Sequence, residues 1–518
     1  MNFWPSPSTP RVSFRSSNVQ PTNEAETHLS VEESTMSRPE LSRILARVPA
    51  RLHRLPPPAR CALLLLAAIC VTSIIGAEEN SSLDNLKSMS IEELLSIEIV
   101  SASRQTSKYA TTPAAVYVIS REDIHHSGAT SIPEVLRMAP GLHVARLDSG
   151  RWAVSARGFN SLYANKLLVL IDGRSIYSEL FSGVYWELLD LPLADIERIE
   201  IIRGPGGATW GANAVNGVIN IITRKTTDDG PPELELAAGS TAPRWSSTLR
   251  YIGKGDNSGL RISASAIDRG EFDDDTGRSS GDSTRNFGLN ARYDWTPSKG
   301  KQLLLTANVS QAQLNRAVST ISSAPPYRQT QRADASSLSQ SLLARWKSTD
   351  ASNEANSWSA QAYLAKLDHE GLFYSDRSTT LDLEVQRTLA LRPGHTLSFG
   401  AGARFWRSAP HDAPVVHSLT NTSNFSLFSS FFQYEWSPED SRFSLSLGAK
   451  VEDNDFTGFE FQPTIAGSWK LSDHSFLWAS VSRAVKTPDR AETESELDAF
   501  YLPTQPLPTL LRVQPNPD

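Results

Sequence analysis

The sequence predicts a transmembrane antiparallel β-barrel preceded by a small α+β domain. Three observations predict it. Beyond residue 231 the chain alternates apolar and polar residues in runs of about ten, as a sheet between lipid and a wet lumen requires. Ahead of that region, residues 112–225 mix β-branched runs, a helical pattern and many glycines. Nearer the start, a basic stretch followed by a short apolar run marks the chain for export.

The N-terminal elements come first. Arg38, Arg43, Arg47, Arg51, Arg54 and Arg60 precede "CALLLLAAICVTSIIGA", Cys61 to Ala77. A basic n-region, an apolar h-region and a small residue at the end describe a signal peptide; an anchoring helix is the alternative. Residues 1–60 are then a disordered, basic leader, and 1–35 are expected to precede the true start at Met36. Both cysteines lie inside the signal, so the exported part has no disulfide and no thiol catalyst. That part holds 42 basic and 52 acidic residues, which argues against a nucleic-acid partner. No run of 18 apolar residues exists, so a helical membrane protein is not indicated.

Residues 78–111 read as a connecting segment, with an amphipathic helix at 83–96 and the extended "IEIVSASR" at 97–104. In the α+β domain, 112–225, "AAVYVIS" reads as a strand. "SIPEVLRMAPG" reads as a helix, with Ser131 as N-cap, Glu134 at the capping-box position and Gly141 past the end. "KLLVLIDGR" reads as a buried strand closed by an Asp172-Gly173 turn.

The stretch "IERIEIIRGPGGATWGANAVNGVINIITRK", 196–225, has the layout of a phosphate-binding loop but fails its tests. No Lys follows Gly211, Thr209 stands where a dinucleotide fingerprint needs glycine, and "VINIIT" is strand-like rather than helical. Its glycines fit tight turns and close backbone approach. His125 and His126 end a short polar helix and read as solvent-facing. "FDDDTGRSSGDS", 272–283, lacks the spacing of a calcium loop and reads as a solvated connection. No catalytic constellation, metal site or cofactor motif is legible, so an enzyme is not predicted.

In the barrel region, 232–518, Phe443, Leu445, Leu447, Ala449 and Val451 oppose Ser444, Ser446, Gly448, Lys450 and Glu452. Leu397, Phe399, Ala401, Ala403 and Phe405 oppose Ser398, Gly400, Gly402 and Arg404. Roughly thirteen such runs are present. Trp295, Trp346, Trp406 and Trp436 near strand ends suit interfacial girdles. A soluble β-sandwich also alternates, but long strands with a continuous polar face favour the membrane.

"IEIVSASR", "TPAAVYVISREDI", "IPEVLRMAPGLHV", "SARGFN", "KLLVLIDGRSIY", "LPLADIERIEIIRGPGGATWGANAVNGVINIIT" and "VSRAVKTPDRAE", in that order, resemble the TonB-dependent outer-membrane receptors of Gram-negative bacteria. The resemblance covers the α+β domain nearly end to end and the barrel mainly by pattern. It implies that 112–225 is a plug inside the lumen. It implies that Ile97, Glu98, Ile99, Val100, Ser101, Ala102 and Ser103 form a TonB box. This box would pair by strand addition with the TonB energy-transducing protein of the inner membrane. Ser101 and Ser103 depart from the usual box.

The ligand implied is a ferric siderophore; cobalamin, another metal chelate or an oligosaccharide is the alternative. Arg151, Trp152, Tyr163, Phe181, Tyr185 and Trp186 are the candidate ligand or plug–barrel contacts. Gly173, Arg203, Gly204, Pro205, Gly207, Gly211 and Gly217 are assigned to structural turns of the plug. Such transporters close with 22 strands, so a chain of thirteen that stops at "LLRVQPNPD" is expected to be a fragment or a truncated, non-transporting remnant.

Overall fold

Two sheets of opposite character organise the chain. The computed structural model describes Glu98–Ile99, Ser107–Lys108 and residues 112–515, apart from 159, 163, 229, 241, 352, 354, 372–373, 412–415, 439–440, 473–474 and 503–508. The helix expected at 83–96 lies outside the described residues.

The first sheet belongs to the α+β domain. Its strands are β3 (Val116–Ser120), β6 (Leu167–Ile171), β7 (Arg174–Ser175), β8 (Ile196–Arg203) and β9 (Gly217–Thr223), in the order β3-β8-β9-β6-β7. Neighbours are antiparallel except β6 and β9, which run parallel from Leu167↔Gly217 to Ile171↔Ile221. The sheet is buried on both faces, which explains the unbroken apolar run of β6. Leu167 and Val169 join one core with Ile119, Ile199, Ile201, Ile219 and Ile221. Leu168 and Leu170 join a second with Val116, Val118, Ile202 and Val218.

The first core is capped by α1 (Arg121–His126) and α2 (Ile132–Leu136), which contribute Ile124, Ile132, Val135 and Leu136. Helix α1 carries a full capping box between Ser120 and Asp123. In α2 the expected box is displaced. Ser131 makes no cap hydrogen bond, and the Glu134 carboxylate instead accepts from Thr130 N at 2.7 Å and Thr130 Oγ1 at 2.8 Å. A hairpin of β4 (Leu142–Arg146) and β5 (Trp152–Ala156) completes the domain.

The second sheet has thirteen strands: β10 (Glu233–Ala238), β11 (Trp245–Lys254), β12 (Ser258–Arg269), β13 (Thr284–Ser298), β14 (Lys301–Ile321), β15 (Arg328–Thr349), β16 (Ser357–Glu370), β17 (Ser375–Arg392), β18 (His395–His411), β20 (Ser423–Trp436), β21 (Phe443–Asn454), β22 (Gly458–Ser472) and β23 (Ser475–Ser482). Every pair is antiparallel and joins strands consecutive in the sheet, as the alternating runs predict. The strands β19 (Val416–Ser418), β24 (Ser495–Leu502) and β25 (Thr509–Val513) form a separate small sheet. Among the described residues, β10 and β23 each have one neighbour, so the large sheet is an open wall. No described helix is long and apolar enough to cross a membrane.

The wall shows its two faces in strand parity. Leu381, Leu383 and Val385 are exposed, whereas Asp382, Glu384 and Gln386 line a cavity beside the small domain. Trp295 is 40% exposed on the outer face, Trp346 shares the parity of exposed Leu342, and Trp436 that of exposed Phe428 and Phe432. Trp406 is a correction. It shares the inward parity of Arg404 and Gly402, is 5% exposed, and stacks on Phe425 with ring centroids 4.6 Å apart.

Candidate functional site: the seam between domain and wall

The inner face of the wall is rich in arginine, and the small domain presents carboxylates and carbonyl groups to it. Asp195, fully buried just before β8, stands 3.6 Å from Arg250 and 3.2 Å from Arg261 and accepts from Ser263 Oγ at 2.6 Å. Arg250 and Arg261 also donate to the carbonyls of Ala194 and Arg224, at 3.2 and 3.0 Å.

Asp172, in the β6–β7 turn, accepts from Thr223 N and Oγ1 at 2.9 and 2.7 Å and pairs with Arg292 at 3.5 Å. Arg345 donates to the Asp172 carbonyl. Further along, Arg404 bridges Glu179 at 3.2 Å and Asp382 at 2.9 Å. Burial pushes the Glu179 carboxyl up from its ordinary value, opposed by Arg404. Arg316 stands 3.9 Å from Glu187, whose carboxyl burial likewise pushes up.

The glycine-rich stretch forms the other grip. Gly207 opens a one-turn helix, α3 (Gly207–Trp210), so it is not a turn residue as expected. The helix forms because the Trp210 and Gly211 amides bond back to Gly206 and Gly207 at 2.8 and 2.7 Å. A Cβ on Gly207 would strike Gln462 of the wall. Arg203 ends β8 and Gly217 begins β9, which are further corrections to the turn assignment. Gly217 is needed for close approach, since a Cβ there would collide with the Ile202 carbonyl oxygen.

Gly173 sits in the β6–β7 turn at positive φ, Gly204 and Gly211 take positive φ where the chain leaves β8 and α3, and Pro205 lies in the loop that leads to α3. At Gly211, φ is +91° and the Glu452 carboxylate lies where a side chain would be. Glu452 accepts from Ala212 N and Gln462 Nε2, both at 2.8 Å, and pairs with Lys450 at 3.4 Å. Asn213 is held by the segment after β23. Its amide donates to the Val485 carbonyl at 2.8 Å, and its side chain bonds Thr487 N and Oγ1 at 3.1 and 3.0 Å. Helix α4 (Arg490–Glu494) follows, with the Arg490 guanidinium buried on Ser408 and Thr420.

The predicted contact residues divide. Arg151 forms an ion pair with Asp148 in the β4–β5 turn. Trp152 is 4% exposed, its ring flanked by Arg137 at 5.2 Å and Arg146 at 5.0 Å. Trp186 packs in the domain's own core. Phe181 and Tyr185 pack against the wall with Leu314 and Ala335, in edge contact with each other at 4.8 Å. Tyr163 lies outside the described residues. Of Ile97–Ser103, Glu98–Ile99 forms β1, antiparallel to Ser107–Lys108 (β2), and the rest is outside them.

His125 and His126 are exposed, and no group of metal ligands occurs among the described residues. The loop at 272–283 holds a residue that sequence alone does not reveal. Asp282 is buried and accepts from Ser149 N and Phe272 N, both at 2.8 Å, pinning the β4–β5 turn. Between domain and wall runs a cavity of about 760 Å³, bordered by Leu168, Asp172, Tyr177, Arg345, Arg404 and Glu452 among others.

The TonB-dependent receptor plug domain model matches residues 108–218, and the TonB-dependent receptor-like β-barrel model matches 235–518. A vitamin B12 transporter of Vibrio vulnificus is 37% identical over 162 residues, 30% of this chain and 26% of that protein. An iron-regulated outer membrane virulence protein of Vibrio cholerae is 26% identical over 409 residues, 76% of this chain and 60% of that one. The ferric enterobactin receptor of Pseudomonas aeruginosa superimposes with a TM-score of 0.59 at 18% identity, covering 73% of this chain and 64% of that one. The ferripyoverdine receptor of the same organism gives 0.60 at 18%, covering 77% and 61%. These two likenesses establish the fold, and the chain spans less than two thirds of each of these proteins.

Proposed function

The chain belongs to the TonB-dependent receptor family of the Gram-negative outer membrane, and we propose that it imports a scarce nutrient, a ferric siderophore, past its plug. The observation that carries this reading is the seam. The plug is seated mainly by ion pairs and hydrogen bonds, with one apolar patch around Phe181 and Tyr185 against the wall, whereas most of its apolar side chains lie inside its own two cores. A domain held in this way can shift against the wall without losing its internal packing.

Ile97–Ser103 is the segment on which the inner-membrane TonB protein would pull, by adding a strand through backbone hydrogen bonds. The exposed apolar face of the wall would meet outer-membrane lipid. No bond chemistry is involved. The iron reading is supported by the iron-regulated Vibrio cholerae relative, whose match spans 76% of the chain. The 37% identity to a vitamin B12 transporter supports cobalamin as the second reading.

The test is uptake of radiolabelled ferric chelates and cobalamin by cells that express the full chain. Ile99→Pro should abolish uptake and leave ligand binding unchanged, because proline cannot donate to an added strand. Uptake that survives the substitution rejects the box at Ile97–Ser103. Binding without energy-dependent uptake in the unsubstituted chain rejects transport in favour of a remnant that only binds.

A further inference from the structure

A second, smaller cavity of about 120 Å³ lies beside the first, sharing Ser175, Tyr177, Glu179, Tyr363, Arg404 and Trp406 with it. Its notable wall residue is Arg174, on β7, the edge strand of the plug sheet that faces the wall. Arg174 is only 8% exposed. Among the described residues its guanidinium makes no hydrogen bond and no ion pair.

None of the carboxylates around it bonds to it. Asp172 acts on it through space but is held by Thr223 and Arg292, Glu179 is held by Arg404, and Asp190 is held by Asn286 while its Oδ2 has no partner among the described residues. Ser310 lines the same cavity, and its buried hydroxyl has no partner among the described residues. A guanidinium cannot shed its proton to escape burial. Water can solvate its five donors but cannot neutralise it, and a buried charge with no directly bonded counter-charge is disfavoured, Asp172 acting on it only through space. The planar fork matches a carboxylate in two parallel hydrogen bonds. The cavity corresponds to about four waters at liquid density, enough for a small carboxylate.

We propose that Arg174 anchors a binding site for a carboxylate-type monovalent anion inside the lumen, between plug and wall, with the Ser310 hydroxyl as a supporting donor. The anion is either dissolved in the lumen or the acid group of a molecule in transit. The second source rests on the transport reading; the first does not.

The experiment uses the purified full chain in detergent, with sodium formate and sodium bromide as probes. Formate should raise the thermal midpoint of the unsubstituted chain in a saturable manner, beyond a sodium perfluorobutanesulfonate control of equal ionic strength whose anion is too bulky for the cavity. Arg174→Gln should abolish that saturable rise, and Arg174→Lys should weaken it several-fold. Bromide-soaked crystals of the unsubstituted chain should show an anomalous peak within hydrogen-bond reach of Arg174, which keeps the test independent of how the variants fold. A formate response equal in the unsubstituted chain and Arg174→Gln, or no bromide at Arg174, overturns the site. In cells, Arg174→Gln that slows uptake of a carboxylate-bearing ferric chelate several-fold, but not of a neutral one, assigns the site to the passing molecule. Equal uptake of both, with the formate response intact in vitro, assigns it to a dissolved anion.

Discussion

The interior of the plug and the seam around it are built from different materials. Inside, Ile119, Ile199, Ile201, Ile219 and Ile221 are at most 1% exposed and belong to one apolar cluster of the same domain. At the seam, Asp195, Arg250 and Arg261 are also buried but charged, and Asp195 meets the two arginines from another part of the chain. Apolar burial is cooperative and indifferent to direction. A buried ion pair has little net value over an apolar pair, yet breaking it on one side is expensive. The difference teaches that seat and body can fail separately. Water entering the seam can hydrate the separated charges, whereas water in the interior finds only isoleucine.

The strongest way to break this contrast is Asp195→Ala. It removes the buried carboxylate that Arg250 and Arg261 share, although Arg250 keeps Glu233, and the plug–wall unit should lose about 3–5 kcal/mol in urea unfolding followed by tryptophan fluorescence. Replacing all three residues with apolar ones of similar volume should recover most of the loss. A small loss in the single variant would mean that the clasp is already hydrated.

The next effect comes from Asp190, whose carboxyl burial pushes up to about 6 from an ordinary 3.8. Folding therefore favours its protonated form. Its contribution is greatest below about pH 4 and falls as pH rises to about 6, with no further change above. The slope of stability against pH across that window should flatten in Asp190→Asn.

A smaller effect is expected from Ile221→Val, which removes one methylene from the core and should cost about 0.5–1.5 kcal/mol without altering the seam's salt sensitivity. Smallest is Arg377→Ala. This arginine pairs with Asp368 at 3.0 Å on an exposed part of the wall, and its loss should cost about 0–1 kcal/mol and less in high salt. Measuring both variants at two ionic strengths separates surface pairs from those in the seam.

Much of this architecture was legible because parity is a local property. Lys450 and Glu452 were assigned to the polar face from their neighbours alone, and both are buried against the plug. The two-faced burial of β6 was written in "LLVLI". Trp406 was misread because a tryptophan near a strand end suits a membrane girdle, but its parity with Arg404 turns it inward. Gly207 was misread because a glycine that admits a neighbouring side chain looks, in sequence, like one that bends the backbone. The ion pairs of the seam were not legible. The partners Asp195 and Arg261, or Asp282 and Ser149, are separated by long stretches of chain, and nothing local to either announces the other. Arg174 escaped notice for a related reason. In sequence it is one more basic residue after a turn, and only burial without a partner distinguishes it.

The marginal position of β3 has a mechanical consequence. It is the first sheet strand after residue 112 and is joined to the rest by a single ladder, Val116↔Ile202 to Ser120↔Arg198. A tug from the N-terminal side therefore reaches a detachable selvedge before it reaches the fabric. Five rungs must part, and Val116, Val118 and Ile119 must leave the two cores, to release that border, while the β8-β9-β6 spine keeps its own stitching. The plug sheet is therefore woven so that one border can loosen before its centre does.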